Sequence, residues 1–187
     1  MAVLALDITG TPRQWLSADN AITYHAKKAV AWSLGEIVVR YRGGVQKDGT
    51  VSYLESPSII AIKGHGFDVT KHGKVGLTNR TLFGRDRNTC AYCATQFPNH
   101  QNLSRDHIMP RSRGGADTWT NVVTACKICN MAKGNRTLKE ARMELLYVPY
   151  VPNHYEHLLL QNRNILADQM EYLIGGVPKN SRVVNFI

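Results

Sequence analysis

Nowhere does the chain approach the ~20 consecutive apolar residues that a membrane-crossing helix needs. Its opening, Met1-Ala-Val-Leu-Ala-Leu-Asp7, has no basic start and soon meets an acid, so no export segment is expected. Internal repeats and low-complexity tracts are also missing, which sets aside repeat architectures and wholesale disorder. Cysteine is scarce, at four in 187 residues. Acid is scarce in one region: from Lys71 to Gly115 only Asp86 and Asp106 stand against eight Lys or Arg. Over the whole chain 23 basic residues outnumber 14 acidic ones, for a net charge of +9. Such an excess suits a polyanion such as nucleic acid, with a merely solubilising surface as the plainer reading. Hydrophobic residues make up 43%, enough for a core in one domain or two modest ones.

All four cysteines fall into two close pairs, Cys90-Ala-Tyr-Cys93 and Cys126-Lys-Ile-Cys129, with 32 residues between them. Each CxxC can turn back so that both sulfurs face one ion, and two such turns complete a tetrahedral zinc shell. Four protein thiolates leave no open position, so this zinc is structural. Its binding supplies folding energy that offsets closure of the long loop. Buried free thiols and a redox dithiol are the competing readings. Without an export segment, thiolates on metal in a reducing cytoplasm fit the pairs better than two disulfides. Tyr92 and Ile128, inside the turns, suit packing over the sulfurs or a simple core role.

Val3 to Ile8 reads as a strand ended by Thr9-Gly10-Thr11-Pro12. Asp19 or Asn20 is placed to cap a helix running through Tyr24, Ala29 and Trp32 to Leu34, with Gly35 as its stop. Ile37 to Tyr41 is extended, Arg42-Gly43-Gly44 predicts a turn, and Ser58 to Ile62 predicts another strand. These pieces form a small α+β unit over 1–77, ending in a linker (63–77) that holds His65 and His72. Asn79 to Arg87 predicts a short helix, Leu103 to His107 a strand, and Pro110 to Thr118 a loop. Thr137-Leu-Lys-Glu140 has capping-box spacing before a helical run to Leu146, closing a second domain over 78–146. A helical extension occupies 147–187, with one helix from Tyr155 to Leu173. Leu158, Leu159, Asn162, Leu166, Met170 and Leu173 share one side of it, and Gly175-Gly176 ends it. His154 and His157 at its start are expected on the surface, a metal pair being the lesser reading.

Between the cysteine pairs stand Asp106-His107 and Asn121, and Asn130 follows the last cysteine. Asp106 offers a hard anionic ligand, and the amide oxygen of Asn130 can complete a divalent-ion site without adding charge. The imidazole of His107 can take a proton from water. On a regular strand Asp106 and His107 point to opposite sides, so a shared shell requires a bend.

Cys90-Ala-Tyr-Cys93, Arg105-Asp-His-Ile-Met-Pro-Arg-Ser-Arg-Gly-Gly115, Trp119-Thr-Asn-Val-Val-Thr-Ala-Cys126 and Cys129-Asn-Met-Ala-Lys-Gly134 together resemble the HNH endonuclease family, in its zinc-knuckle subgroup. The resemblance is strong from about Asn79 to Glu140. It extends loosely to Val3-Leu-Ala-Leu-Asp7 and Pro57-Ser-Ile-Ile60, which are similar to the start of bacterial and phage members with a small domain before the motif. It does not cover 147–187. The implied fold is α+β: a ββα-metal fold clipped by zinc on Cys90, Cys93, Cys126 and Cys129, with the N-terminal unit and the C-terminal extension around it.

The resemblance implies a metal-dependent DNA endonuclease with a single-metal centre, leaving a 5′ phosphate and a 3′ hydroxyl. His107 would be the general base, and Asn121 would hold that histidine and the hairpin loop in place. Asp106 and Asn130 would bind the catalytic ion. Asn130 stands where many members have histidine, which moves the expectation toward magnesium or manganese. Arg105, Arg111, Arg113 and Lys133 flank the centre as candidate phosphate contacts, and Arg80, Arg85 and Arg87 would lengthen that track. Gly114-Gly115 would relax a turn near the substrate, and Trp119 is expected in the core, bracing Asn121. The alternative is a zinc-stabilised nucleic-acid-binding protein without cleavage. DNA is the expected partner, in the cytoplasm and away from membrane. A homodimer is compatible, since one HNH centre cuts one strand.

Overall fold

Val3-Leu-Ala-Leu6 has no polar side chain, and it forms β1 (Val3–Leu6), buried at all four positions. The computed structural model describes residues 1–64, 75–162 and 164–183. The fold is α+β, with an N-terminal α+β unit, a ββα region bearing the four cysteines, and C-terminal helices. Two compact units result, one of Met1–Lys74 with Asn162–Gly176 and one of Val75–Gln161 with Val177–Ile187. Histidines 65 and 72, with most of the expected linker, lie outside the described residues.

In the first unit β1 pairs antiparallel with β2 (Pro12–Leu16) and parallel with β4 (Val51–Ile62), and β3 (Val30–Val45) borders β4. The β1–β2 turn is held by Asp7, whose Oδ1 accepts from Thr9 N and Thr11 N, each at 2.8 Å. Ser17 caps α1 (Ala18–Ala26), two residues upstream of Asp19 and three upstream of Asn20, the expected caps. The helix stops well before Leu34, because Val30 pairs with Ile62 and Trp32 with Ala61. A sheet ladder with a buried apolar partner outweighs local helical patterning here. Likewise β3 runs through Arg42-Gly43-Gly44, and the chain turns instead at Gln46–Thr50, where Asp48 Oδ1 accepts Thr50 N at 3.0 Å. At Gly35, φ is +83° and a Cβ would stand 1.9 Å from Ser58 Oγ, so only glycine fits.

The expected C-terminal helix is two helices, α5 (His154–Gln161) in the second unit and α6 (Ala167–Ile174) in the first. Between them Asn162 Oδ1 accepts Asn164 N at 3.2 Å, a side-chain turn that competes with continued helix. In α6, Gln169 Nε2 donates to Ala2 O and Ser58 O, joining the helix to the sheet backbone.

The second unit begins with α2 (Asn79–Arg85), started by a capping box between Thr78 and Thr81. Strands β5 (Leu103–His107) and β6 (Val122–Cys126) pair antiparallel, Leu103 opposite Cys126 and His107 opposite Val122. Then follow α3 (Lys127–Lys133) and α4 (Leu138–Ala141). The Thr137–Glu140 capping box forms, but α4 ends at Arg142, whose φ is 55°. The expected run to Leu146 fails because Leu146 N is taken by Ala91 O at 2.9 Å.

Leu82, Phe83, Leu103, Trp119 and Val122 form the core of this unit. Beside it Arg85 is fully buried, bonded to Asp86 through Nε (2.8 Å) and Nη2 (3.0 Å) and to the carbonyls of Trp119, Val122 and Tyr150. Asp86 Oδ2 in turn accepts Thr124 N at 2.8 Å, covering the outer edge of β6. Removing one partner leaves a buried charge and several carbonyls unsatisfied. Arg85→Ala is therefore expected to cost about 3–5 kcal/mol, measured by chemical denaturation. A loss below ~1 kcal/mol would place this pair among exposed ones.

Candidate functional site

Cys126 ends β6 and also serves as the N-cap of α3, where its Sγ accepts Cys129 N at 3.4 Å. Cys90 Sγ accepts Tyr92 N at 3.5 Å in the other pair. These turns bring the four sulfurs within 4.8 Å of one another. Sulfurs ~2.3 Å from a central zinc stand roughly 3.8 Å apart, so the group has the right size and chemistry. The Thr95 hydroxyl, 3.3 Å from Cys93 Sγ, draws that thiol down to about 6. Burial pushes Cys90 and Cys129 up. Four crowded thiolates would need a cation among them, and zinc fits that donor set.

Alternation along β5 sorts the remaining chemistry onto two faces. Asp106, on the Ser104 side, is buried. Its Oδ1 accepts Lys133 Nζ at 3.0 Å, and its Oδ2 accepts the Tyr92 hydroxyl. Burial and that carboxylate push Tyr92 well up, so it stays a donor. Asn130 Nδ2 donates to Ser104 Oγ at 2.8 Å and to Arg105 O at 3.3 Å. The same strand segment thus receives Asn130 and Lys133, three residues apart on α3. A hollow of about 320 Å³, lined by Ser104, Lys127, Asn130 and Met131, opens there.

Arg105 and His107 occupy the other face and meet Asp117, a residue that motif reading passed over. His107 Nε2 is 2.9 Å from Asp117 Oδ1, and Arg105 Nη1 reaches both carboxylate oxygens at 2.8 and 2.7 Å. The Arg105 guanidinium, then His107, hold the Asp117 carboxyl below its ordinary range. Asn121 stitches the intervening loop: Oδ1 accepts Met109 N at 2.9 Å, and Nδ2 donates to Met109 O and Ala116 O at 3.2 and 2.8 Å. A Cβ on Gly115 would stand 1.7 Å from Met109 O, which explains glycine there. Trp119 is buried and donates its indole N–H to Val75 O at 3.0 Å.

Residues 90–146 match the family model described as HNH endonuclease. The chain contains an HNH-family domain. Its four-cysteine cluster is consistent with the zinc-knuckle subtype. The CRISPR-associated endonuclease Cas9 of Corynebacterium diphtheriae is 43% identical over 47 residues, 25% of this chain and 4% of that protein. The similarity therefore covers one short piece of a much longer relative.

Within the HNH domain the basic residues divide. Arg80 and Arg111 are exposed, Arg113 pairs with Glu140 at 2.7 Å, and Arg87 Nε donates to Arg182 O at 2.6 Å. Arg85 and Lys133 are buried and bonded to internal acceptors, so the expected phosphate contacts at these two are corrected. A charge buried beside a carboxylate is invisible in a count of basic residues. His154 and His157 are buried rather than on the surface, and desolvation lowers His157. Among the described residues, the cysteines are the single cluster of three or more His, Cys, Asp or Glu side chains suited to metal.

Purified protein is expected to hold one zinc per chain, with X-ray absorption showing four sulfurs at about 2.3 Å. Cys126→Ser should lose that zinc and unfold the HNH domain. A nitrogen or oxygen shell in the wild type would contradict the assignment.

Proposed function

We propose that the HNH domain is a metal-dependent DNA endonuclease acting through a single-metal centre, with residues 78–146 as the nuclease domain. The observation that carries this reading is the HNH-family match over residues 90–146, which spans Asp106, His107, Asn121 and Asn130. At β5 the regular strand leaves the first two on opposite faces, without the bend that a shared shell requires. Asp106 and Asn130 meet one segment of the strand, while the adjacent His107 keeps its ring on the other face, hydrogen-bonded to an acid. Asp106 and the Asn130 oxygen are hard donors that would hold magnesium or manganese. The ion would share that carboxylate with the Lys133 ammonium. When bound it supplies Lewis-acid stabilisation of the departing 3′ oxygen.

The chain's own groups do the rest. His107 takes a proton from water, the resulting hydroxide forms a bond to phosphorus in line, the bond to the 3′ oxygen breaks, and that oxygen takes a proton from solvent. A 5′ phosphate and a 3′ hydroxyl result. Asn121 keeps the loop that carries the acid partner of His107 in register. Arg80 and Arg111, exposed, and Arg113 and Arg87 at the surface are the remaining candidates for successive phosphates. Arg105 acts first on Asp117. Cysteines gathered as one metal-binding group, and not paired in disulfides, support work on DNA in a reducing compartment such as the cytoplasm. Cutting both strands in concert would engage two copies of the chain.

One observation favours the second reading, nucleic-acid binding without cleavage: Asp106 already has an internal cation in Lys133. Supercoiled plasmid with magnesium or manganese separates the two. Nicks are expected, abolished by chelator and reduced about 10²–10⁴-fold in His107→Ala with zinc retained. Retarded but uncut plasmid would favour binding alone.

A further inference from the structure

Asp117 is exposed, yet both of its backbone neighbours are pinned. Asn121 Nδ2 donates to Ala116 O, and Asn121 N donates to Thr118 O at 3.0 Å. Its carboxylate is gripped at both oxygens by Arg105. Arg105 is itself anchored, through Nε to Asn79 Oδ1 at 3.0 Å and through Nη2 to Leu77 O at 3.5 Å. The position of Asp117 beside His107 is thus set by three separate contacts and not by a lone surface ion pair.

The bond to His107 has a direction. An ionised carboxylate accepts and cannot donate, so the proton between Asp117 Oδ1 and His107 belongs to Nε2. In the neutral ring Nδ1 then carries the lone pair. We propose that Asp117, clamped by Arg105, is a positioning residue for His107, fixing the ring's orientation and tautomer so that Nδ1 faces the attacking water. Asn121 acts on the histidine through Asp117 by holding the backbone on either side of it. The same carboxylate stabilises the imidazolium formed when Nδ1 takes the water proton, because Nε2–H remains bonded to it. The role of water rests on the endonuclease reading; the tautomer does not.

The test uses the full-length, zinc-loaded protein labelled with ¹⁵N. Long-range proton–nitrogen correlation of the His107 ring, assigned by its loss in His107→Ala, should show Nε2 protonated and Nδ1 unprotonated. Asp117→Ala should give a mixture of tautomers. It should also lower kcat for plasmid nicking about 10–100-fold, with KM for DNA not raised. Asp117→Asn, whose amide oxygen can still accept from Nε2–H, should recover most of that loss. Asp117→Ser replaces the alanine variant if the latter loses zinc or folded structure. A single Nε2–H tautomer persisting without the carboxylate, or wild-type kcat in Asp117→Ala, would overturn the proposal. If the wild type does not cut DNA at all, the endonuclease reading fails, and the ring spectrum still decides the role of Asp117.

Discussion

Cys126 closes a strand, opens a helix and contributes a sulfur to the cluster, and most of the HNH domain follows from that coincidence. Because β6 ends where α3 begins, the first turn of the helix is set by the same sulfur that would bind zinc. Asn130 and Lys133 then fall within reach of β5, four and seven residues after the pivot. Cys90 joins the arrangement from the other side, with Ala91 N donating to Thr124 O in the middle of β6 at 2.8 Å. A small domain with few buried apolar side chains gains from a metal clip what larger domains obtain from core area.

Two buried ion pairs flank the hairpin, Arg85–Asp86 on one side and Lys133–Asp106 on the other. Desolvation makes such pairs poor sources of net stability, but each is intolerant of losing one partner. They act as registry devices. Arg85 reaches the carbonyls of Trp119 and Val122, residues that bracket Asn121. Lys133 reaches both the Asp106 carboxylate and the His107 carbonyl. The loop between the strands is therefore located by charges at its base as well as by Asn121 within it.

Much of this was legible in the sequence where a short motif carries its own geometry. The paired CxxC spacing, the extended Leu103–His107 segment and the Thr137–Glu140 box all depend on neighbours within a few residues. What was not legible depends on distant partners. Trp32 and Leu34 look helical until β4 offers them a ladder, and Leu146 looks helical until Ala91 claims its amide. Gln161 and Leu166 flank a break that one apolar stripe conceals. Lys133 and Arg85 read as surface cations because burial beside an acid leaves no trace in local composition. Asp117 lay between two motifs and belonged to neither; an acid following a glycine-rich turn and four residues before Asn121 was the available signal.

The central claim is that metal on the four cysteines organises the β5–β6–α3 region. Amide hydrogen exchange on the full chain, with zinc and after its removal by chelator, tests this most directly. Protection is expected to fall across Leu103–His107, Val122–Cys126 and Lys127–Lys133 when zinc leaves, while β1 and β4 retain theirs. Equal protection of those three segments in both states would contradict the account.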